Sequence, residues 1–136
     1  MTNGLFVNNR SDSGGAIFTD FRNNPDFSFD LTNSTFFENQ ADTASIIISS
    51  AINGGDGVNF TNSIVGQNPV GSGEEIVVED DQISIDNSLV QGGFSGAGEN
   101  IIDAAPLFVD PENNNYSLQP GSPAIDAGNN LSLIHI

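Results

Sequence analysis

The chain has no cysteine, no lysine and no tryptophan among its 136 residues, and Arg10 and Arg22 are its only cationic side chains apart from a single histidine, His135. Without cysteine there is no disulfide framework and no thiolate metal site, and the redox compartment leaves no mark. Eighteen acidic residues against two arginines give a formal net charge of -16. That field repels phosphate backbones and anionic lipid, so nucleic acid is not an expected partner, and cations or neutral surfaces are. No apolar run approaches the roughly 20 residues of a spanning helix, so direct membrane insertion is not expected. No leader pattern opens the chain, but Met1 stands two residues before a repeat already under way. This predicts that N-terminal coils of the same protein precede it, and makes the missing leader uninformative. So acidic a chain could be disordered, but Phe, Ile, Val and Leu recur at short regular intervals, which favours a folded one.

What the chain does have is asparagine, 18 copies of it, and it recurs in register. Thr2-Asn3-Gly4-Leu5-Phe6-Val7 aligns with Thr32-Asn33-Ser34-Thr35-Phe36-Phe37, with Thr61-Asn62-Ser63-Ile64-Val65-Gly66 and with Asp86-Asn87-Ser88-Leu89-Val90-Gln91, at steps of 30, 29 and 25 residues. Flanking columns are apolar in each copy: Phe29, Val58 and Ile83; Leu31, Phe60 and Ile85; Phe6, Phe36, Val65 and Val90. Six residues after the first asparagine comes a second column, Asn9, Asn39, Asn68 and Gly93. These residue types tolerate a left-handed backbone, so it reads as a second turn. Ile17 and Phe18 align with Ile47 and Ile48, and Ile76 with its neighbours forms a slightly shifted third member.

Each copy therefore reads as short strand, Asn turn, short strand, Asn or Gly turn, variable loop, short strand, with period-2 alternation and no helical period. Strands this short need partners, and equivalent strands stacked about 4.8 Å apart would supply them. The fold class expected is all-β, a right-handed parallel β-helix fragment with an irregular C-terminal cap. Coils occupy residues 1–94, the closing segment 95–130, and the Asn columns are placed to stack into amide ladders. The alternative is a sandwich in which asparagine only marks unrelated loops. The Asn-, Gly-, Pro- and Asp-rich connections at 22–26, 53–57 and 68–73 absorb the unequal period, and a binding surface would be sought there.

After Gly93 the pattern loosens. Leu107, Phe108, Val109, Tyr116, Leu118 and Ile125 supply apolar anchors, and Pro111, Pro120 and Pro123 block further strand addition, as a lid over an open end requires. Residues 88–92 (SLVQG), Asn100-Ile101, 106–111 (PLFVDP) and 116–128 (YSLQPGSPAIDAG) resemble the end of the right-handed parallel β-helix in bacterial choice-of-anchor Q domain proteins. The upstream coils are similar, more loosely, to pectate-lyase-like β-helices. The resemblance implies export, a secreted or cell-surface location, a solenoid upstream and an anchoring signal downstream, with no established reaction. Residues 131–136 match a translation of the adaptor end used in transposase-based sequencing libraries and are expected to be non-native. The alternative is a genuine last strand.

Chemistry-bearing sets are sparse. A polysaccharide lyase on this fold, by family analogy, would hold calcium on clustered carboxylates beside a basic proton acceptor. Glu79, Asp80 and Asp81 with Arg10 or Arg22 are the residues available, and a solvated acidic face is the bland alternative. A glycosidase needs paired carboxylates and has only Asp80-Asp81 to draw on. Asp110, Glu112 and Asn114 alternate as in a calcium loop, with Asp103 or Asp126 as neighbours, against a turn whose side chains bond their own backbone. Phe21 and Phe94 are the loop aromatics that could stack on a sugar, or else turn inward. The function expected is a non-catalytic structural or adhesion scaffold, contacting polysaccharide or another surface ligand and needing no cofactor unless calcium. A carbohydrate-active enzyme with catalytic coils upstream is the alternative.

Overall fold

The computed structural model describes residues 1–20, 28–43, 46–50, 57–68, 76–79 and 83–128. The all-β expectation holds: the regular structure there is strand, apart from a single 3-10 turn at Pro111–Asn113. The first pass of the chain makes β1 (Leu5–Val7), β2 (Arg10–Ser13) and β3 (Ile17–Asp20). The second makes β4 (Ser28–Thr32), β5 (Thr35–Phe37), β6 (Gln40–Thr43) and β7 (Ile47–Ser50). Then come β8 (Gly57–Thr61), β9 (Ile64–Gly66), β10 (Ile76–Glu79), β11 (Ile83–Asp86), β12 (Ser88–Val90) and β13 (Ile101–Ile102).

Each strand pairs in parallel with its equivalents in the neighbouring passes. The sheets run β1-β5-β9-β12-β13, β4-β8-β11, β3-β7-β10 and β2-β6. The registers align the columns of the repeat: Phe6 lies beside Phe36 and Phe36 beside Val65, while Leu31 lies beside Phe60 and Phe60 beside Ile85. The β2-β6 pair is a correction, because residues 10–13 and 40–43 read as loop. Arg10-Ser11-Asp12-Ser13 has no apolar alternation, and it is a strand because a neighbouring pass supplies backbone partners in register.

Period-2 alternation sends one set of side chains inward. In β4 and β8 these are Phe29 with Leu31 and Val58 with Phe60; Leu31, Val58 and Phe60 are fully buried and join Phe36, Ile46, Val65 and Ile85 in one core. Phe6 stacks face to face on Phe36 at 4.7 Å, and Phe36 meets Phe60 edge-on at 5.6 Å. Each such ring or aliphatic chain contributes about 1.5–3 kcal/mol by leaving water, so the core is the main adhesive between passes.

Parallel pairing continues past residue 94. Asn87 donates its backbone N–H to Glu99 O (2.9 Å), Ile85 donates to Ala97 O (3.0 Å), and β13 pairs with β12. This fifth pass follows the fourth by only 13 residues, because the chain turns back at Gly92-Gly93 and makes no third strand. Phe94 packs against the core at that point. Gly98 allows the approach: at φ +142 a Cβ there would sit 1.9 Å from Ile85 O.

Residues 95–102 of the closing segment add that fifth pass at the end of the stack, but the rest does not follow it as a lid. It forms an antiparallel hairpin of β14 (Phe108–Asp110) and β15 (Asn115–Leu118) and runs across the outward face of the five-stranded sheet. Phe108 and Tyr116 meet Phe37 of β5 edge-on at 5.0 and 6.0 Å. Pro106 sits against Gly66, where a Cβ would lie 3.1 Å from its Cγ, and Gly128 lies against Asn62. Outward residues of β5, β9 and β12 are thereby covered; Leu89 is buried although its column faces away from the core.

Candidate functional site

Three polar columns cross the passes beside β1, β5, β9 and β12. The first is Asn3, Asn33, Asn62 and Asn87, joined by Asn100; all five are left-handed, with φ between 50 and 59. Asparagine reaches that conformation at less cost than most residues, and one such residue bends the chain between two strands. The amides bond from pass to pass: Asn33 Nδ2 donates to Asn3 Oδ1 (3.2 Å) and Asn100 Nδ2 to Asn87 Oδ1 (3.0 Å). Asn100, noted in the sequence only for the resemblance, was not placed in this column because its step of 13 breaks the period near 30.

The second column does something else. Left-handed φ belongs to Asn8, Glu38, Gln67 and Gly92, one residue before the column, and to Gly93 itself. The expectation that Asn9, Asn39 and Asn68 are left-handed is thus corrected. Asn39 and Asn68 turn their side chains inward instead, at 0% and 2% exposure, while Asn9 in the first pass is exposed. Asn9 Nδ2 donates to Asn39 Oδ1 (2.8 Å), and Asn39 Nδ2 donates to Asn68 Oδ1 (3.0 Å) and to Phe6 O (2.8 Å). Asn68 Nδ2 donates to Gly66 O (3.0 Å) and Phe36 O (3.3 Å). Buried amides are tolerated because these bonds replace water. Gly93 has no side chain and ends the ladder.

Between the two lies a serine column that the sequence reading passed over. Ser34, Ser63 and Ser88 are buried, and each hydroxyl donates to the carbonyl two residues back while accepting a backbone N–H from the pass before. The signal was present, since a small hydroxyl residue follows the asparagine in three copies.

Several carboxylates are committed to backbone and corners. Asp86 accepts from Glu99 N (2.8 Å) and Ser84 Oγ (2.9 Å), and so pins the fifth pass. Asp103 accepts from Gly92 N (2.8 Å) at the reversal. Asp110 accepts from Asn113 Nδ2 (2.9 Å), and left-handed Asn114 closes the turn onto Pro111 O (3.0 Å). Asp110, Glu112 and Asn114 therefore bracket a self-bonded hairpin turn, and no group of three acidic or histidine side chains suited to a metal gathers among the described residues.

Of the residues named for a lyase, the side chain of Arg10 alone is described. Arg10 is exposed on β2, the side chain of Glu79 is not described, and Arg22, Asp80 and Asp81 lie outside the described residues, as do Phe21, residues 131–136 and most of the variable connections. Phe94 is half-buried and packs against the core. An open groove of about 660 Å³ runs along the second corner, lined by Asn8, Glu38, Gln40, Gln67 and Gln91 among others. No family model, no curated protein and no solved structure matches the chain.

Proposed function

We propose that the chain is part of a right-handed parallel β-helix that serves as a non-catalytic structural or adhesion scaffold in an exported bacterial surface protein. The observation that carries this reading is the register of equivalent strands at steps of 30, 29 and 25 residues, with internal side-chain bonds at the same steps. Polar side chains are spent on holding one pass to the next, and Asp86, Asp103 and Asp110 on corners. Such a body is stiff along its length and carries whatever its connections display. The resemblance of residues 88–128 to the ends of choice-of-anchor Q proteins supports the surface location, and polysaccharide is the contact to test first.

The test is co-sedimentation of the purified chain with insoluble neutral and acidic polysaccharides, together with assays for reducing ends and unsaturated uronides. Retention on a polysaccharide without product agrees with the scaffold. Turnover would replace it with an enzyme.

A further inference from the structure

Asn33, Asn62 and Asn87 present the same dipeptide at the same corner: each is followed by serine, and each has a φ of 50 or 52. They differ in what holds the backbone N–H of that serine. Gly4 N donates to Ser34 Oγ (3.2 Å), Ser34 N to Ser63 Oγ (3.2 Å) and Ser63 N to Ser88 Oγ (3.0 Å). The serine of one pass thus ties down the N–H that follows the asparagine of the pass before. The series stops at Ser88. Its partner in register is Ile101, which has no hydroxyl, so the Ser88 N–H lacks the acceptor that Ser34 and Ser63 have.

That N–H matters because the backbone nitrogen after an asparagine is the nucleophile of its deamidation. The nitrogen gives up its proton and attacks Cγ; a bond forms between them, the bond from Cγ to Nδ2 breaks, and the amide nitrogen leaves with a proton as ammonia. Water then opens the resulting succinimide at either carbonyl, to aspartate or to isoaspartate. A nitrogen whose proton is held in a hydrogen bond has to break that bond before it can attack. We propose that Asn87 is the deamidation site of the asparagine column, and that the serine column protects Asn33 and Asn62 from the same reaction. Exposure orders the three differently, since Asn33 is exposed while Asn62 and Asn87 are half-buried. Isoaspartate at position 87 runs the main chain through the side-chain methylene and lengthens the corner. That corner is where Asn87 N donates to Glu99 O (2.9 Å) and Asn87 Oδ1 accepts from Asn100 Nδ2 (3.0 Å), so the fifth pass is what the modification loosens.

The experiment incubates the full chain in mildly alkaline buffer, with folding monitored by circular dichroism, and measures the amide-to-acid mass gain and isoaspartate at each site by peptide mapping. Asn87 is expected to convert about fivefold faster than Asn33 or Asn62, the worth of one ordinary hydrogen bond. Ile101→Thr supplies a hydroxyl at that register on a branched side chain, and is expected to slow Asn87 to the rate of Asn62. Ser63→Ala removes the acceptor of Ser34 N–H, and is expected to speed Asn33 about fivefold while leaving Asn87 as it was. Equal rates at the three sites of the wild-type chain, or Asn33 fastest as exposure orders them, overturn the proposal. So does a folded Ile101→Thr chain that keeps the wild-type rate at Asn87. A Ser63→Ala chain in which Asn33 and Asn87 speed up together also overturns it, and would assign the reaction to general loosening of the fold.

Discussion

Asn33 and Asn39 stand six residues apart in one pass, carry the same side chain and recur with similar period, yet the molecule uses opposite halves of them. At Asn33 the backbone matters: φ is +52, the residue is exposed, and its amide adds one bond to Asn3. At Asn39 the side chain matters: the residue is fully buried, and its amide reaches Asn9, Asn68 and Phe6 O at once. One column selects asparagine for tolerance of a corner, and the other for donors and acceptors set one above another inside. A repeat identifies that a position matters before it identifies which atoms do.

Substitutions separate the two columns, and urea unfolding reads each of them. Asn39→Ala strands Phe6 O and the Asn9 donors together and is expected to cost about 3 kcal/mol. Asn39→Gly should do no better, since conformational freedom is not what that site lacks. Ser63→Ala leaves Ser34 N–H without its acceptor in a buried site and should cost about 1.5 kcal/mol. Asn33→Ala places a Cβ residue without a local polar partner at a left-handed corner and should cost about 1 kcal/mol, whereas Asn33→Gly should recover most of that. An Asn33→Gly variant as damaged as Asn39→Gly would erase the distinction. The smallest effect has the opposite sign: Glu38 is left-handed at φ +54 with a long side chain, so Glu38→Asn should gain about 0.5 kcal/mol. A loss there would contradict the assignment of the corner to residue 38.

The apolar columns were legible because alternation and period coincide: Phe29 with Leu31 and Val58 with Phe60 announce both a strand and its inward face. β2 and β6 were not, because Arg10–Ser13 is polar throughout and its strand state is imposed by a neighbour 30 residues away. The second asparagine column was visible as a column, but left-handed preference and burial predict the same residue type, and sequence does not distinguish them. Asn100 was hidden by the shortened pass that Gly98 and Asp86 permit. The path of the closing segment was hidden for a further reason. Phe37, Gly66 and Gln91, the outward surface it covers or approaches, differ in every copy and so leave no repeat to notice. Of the candidate chemistry, Asp110, Glu112 and Asn114 stand in a tight hairpin turn, which draws on the same oxygen-bearing residues as a cation loop, so sequence does not separate the two.

The account rests on buried amides coupling one pass to the next. A double-mutant cycle of Asn39→Ala and Asn68→Ala, measured by urea unfolding, tests it most directly. The bond of 3.0 Å between the two side chains predicts a coupling energy of about 1–2 kcal/mol, with the double variant less damaged than the sum of the singles. Simple additivity, a coupling indistinguishable from zero, would contradict it.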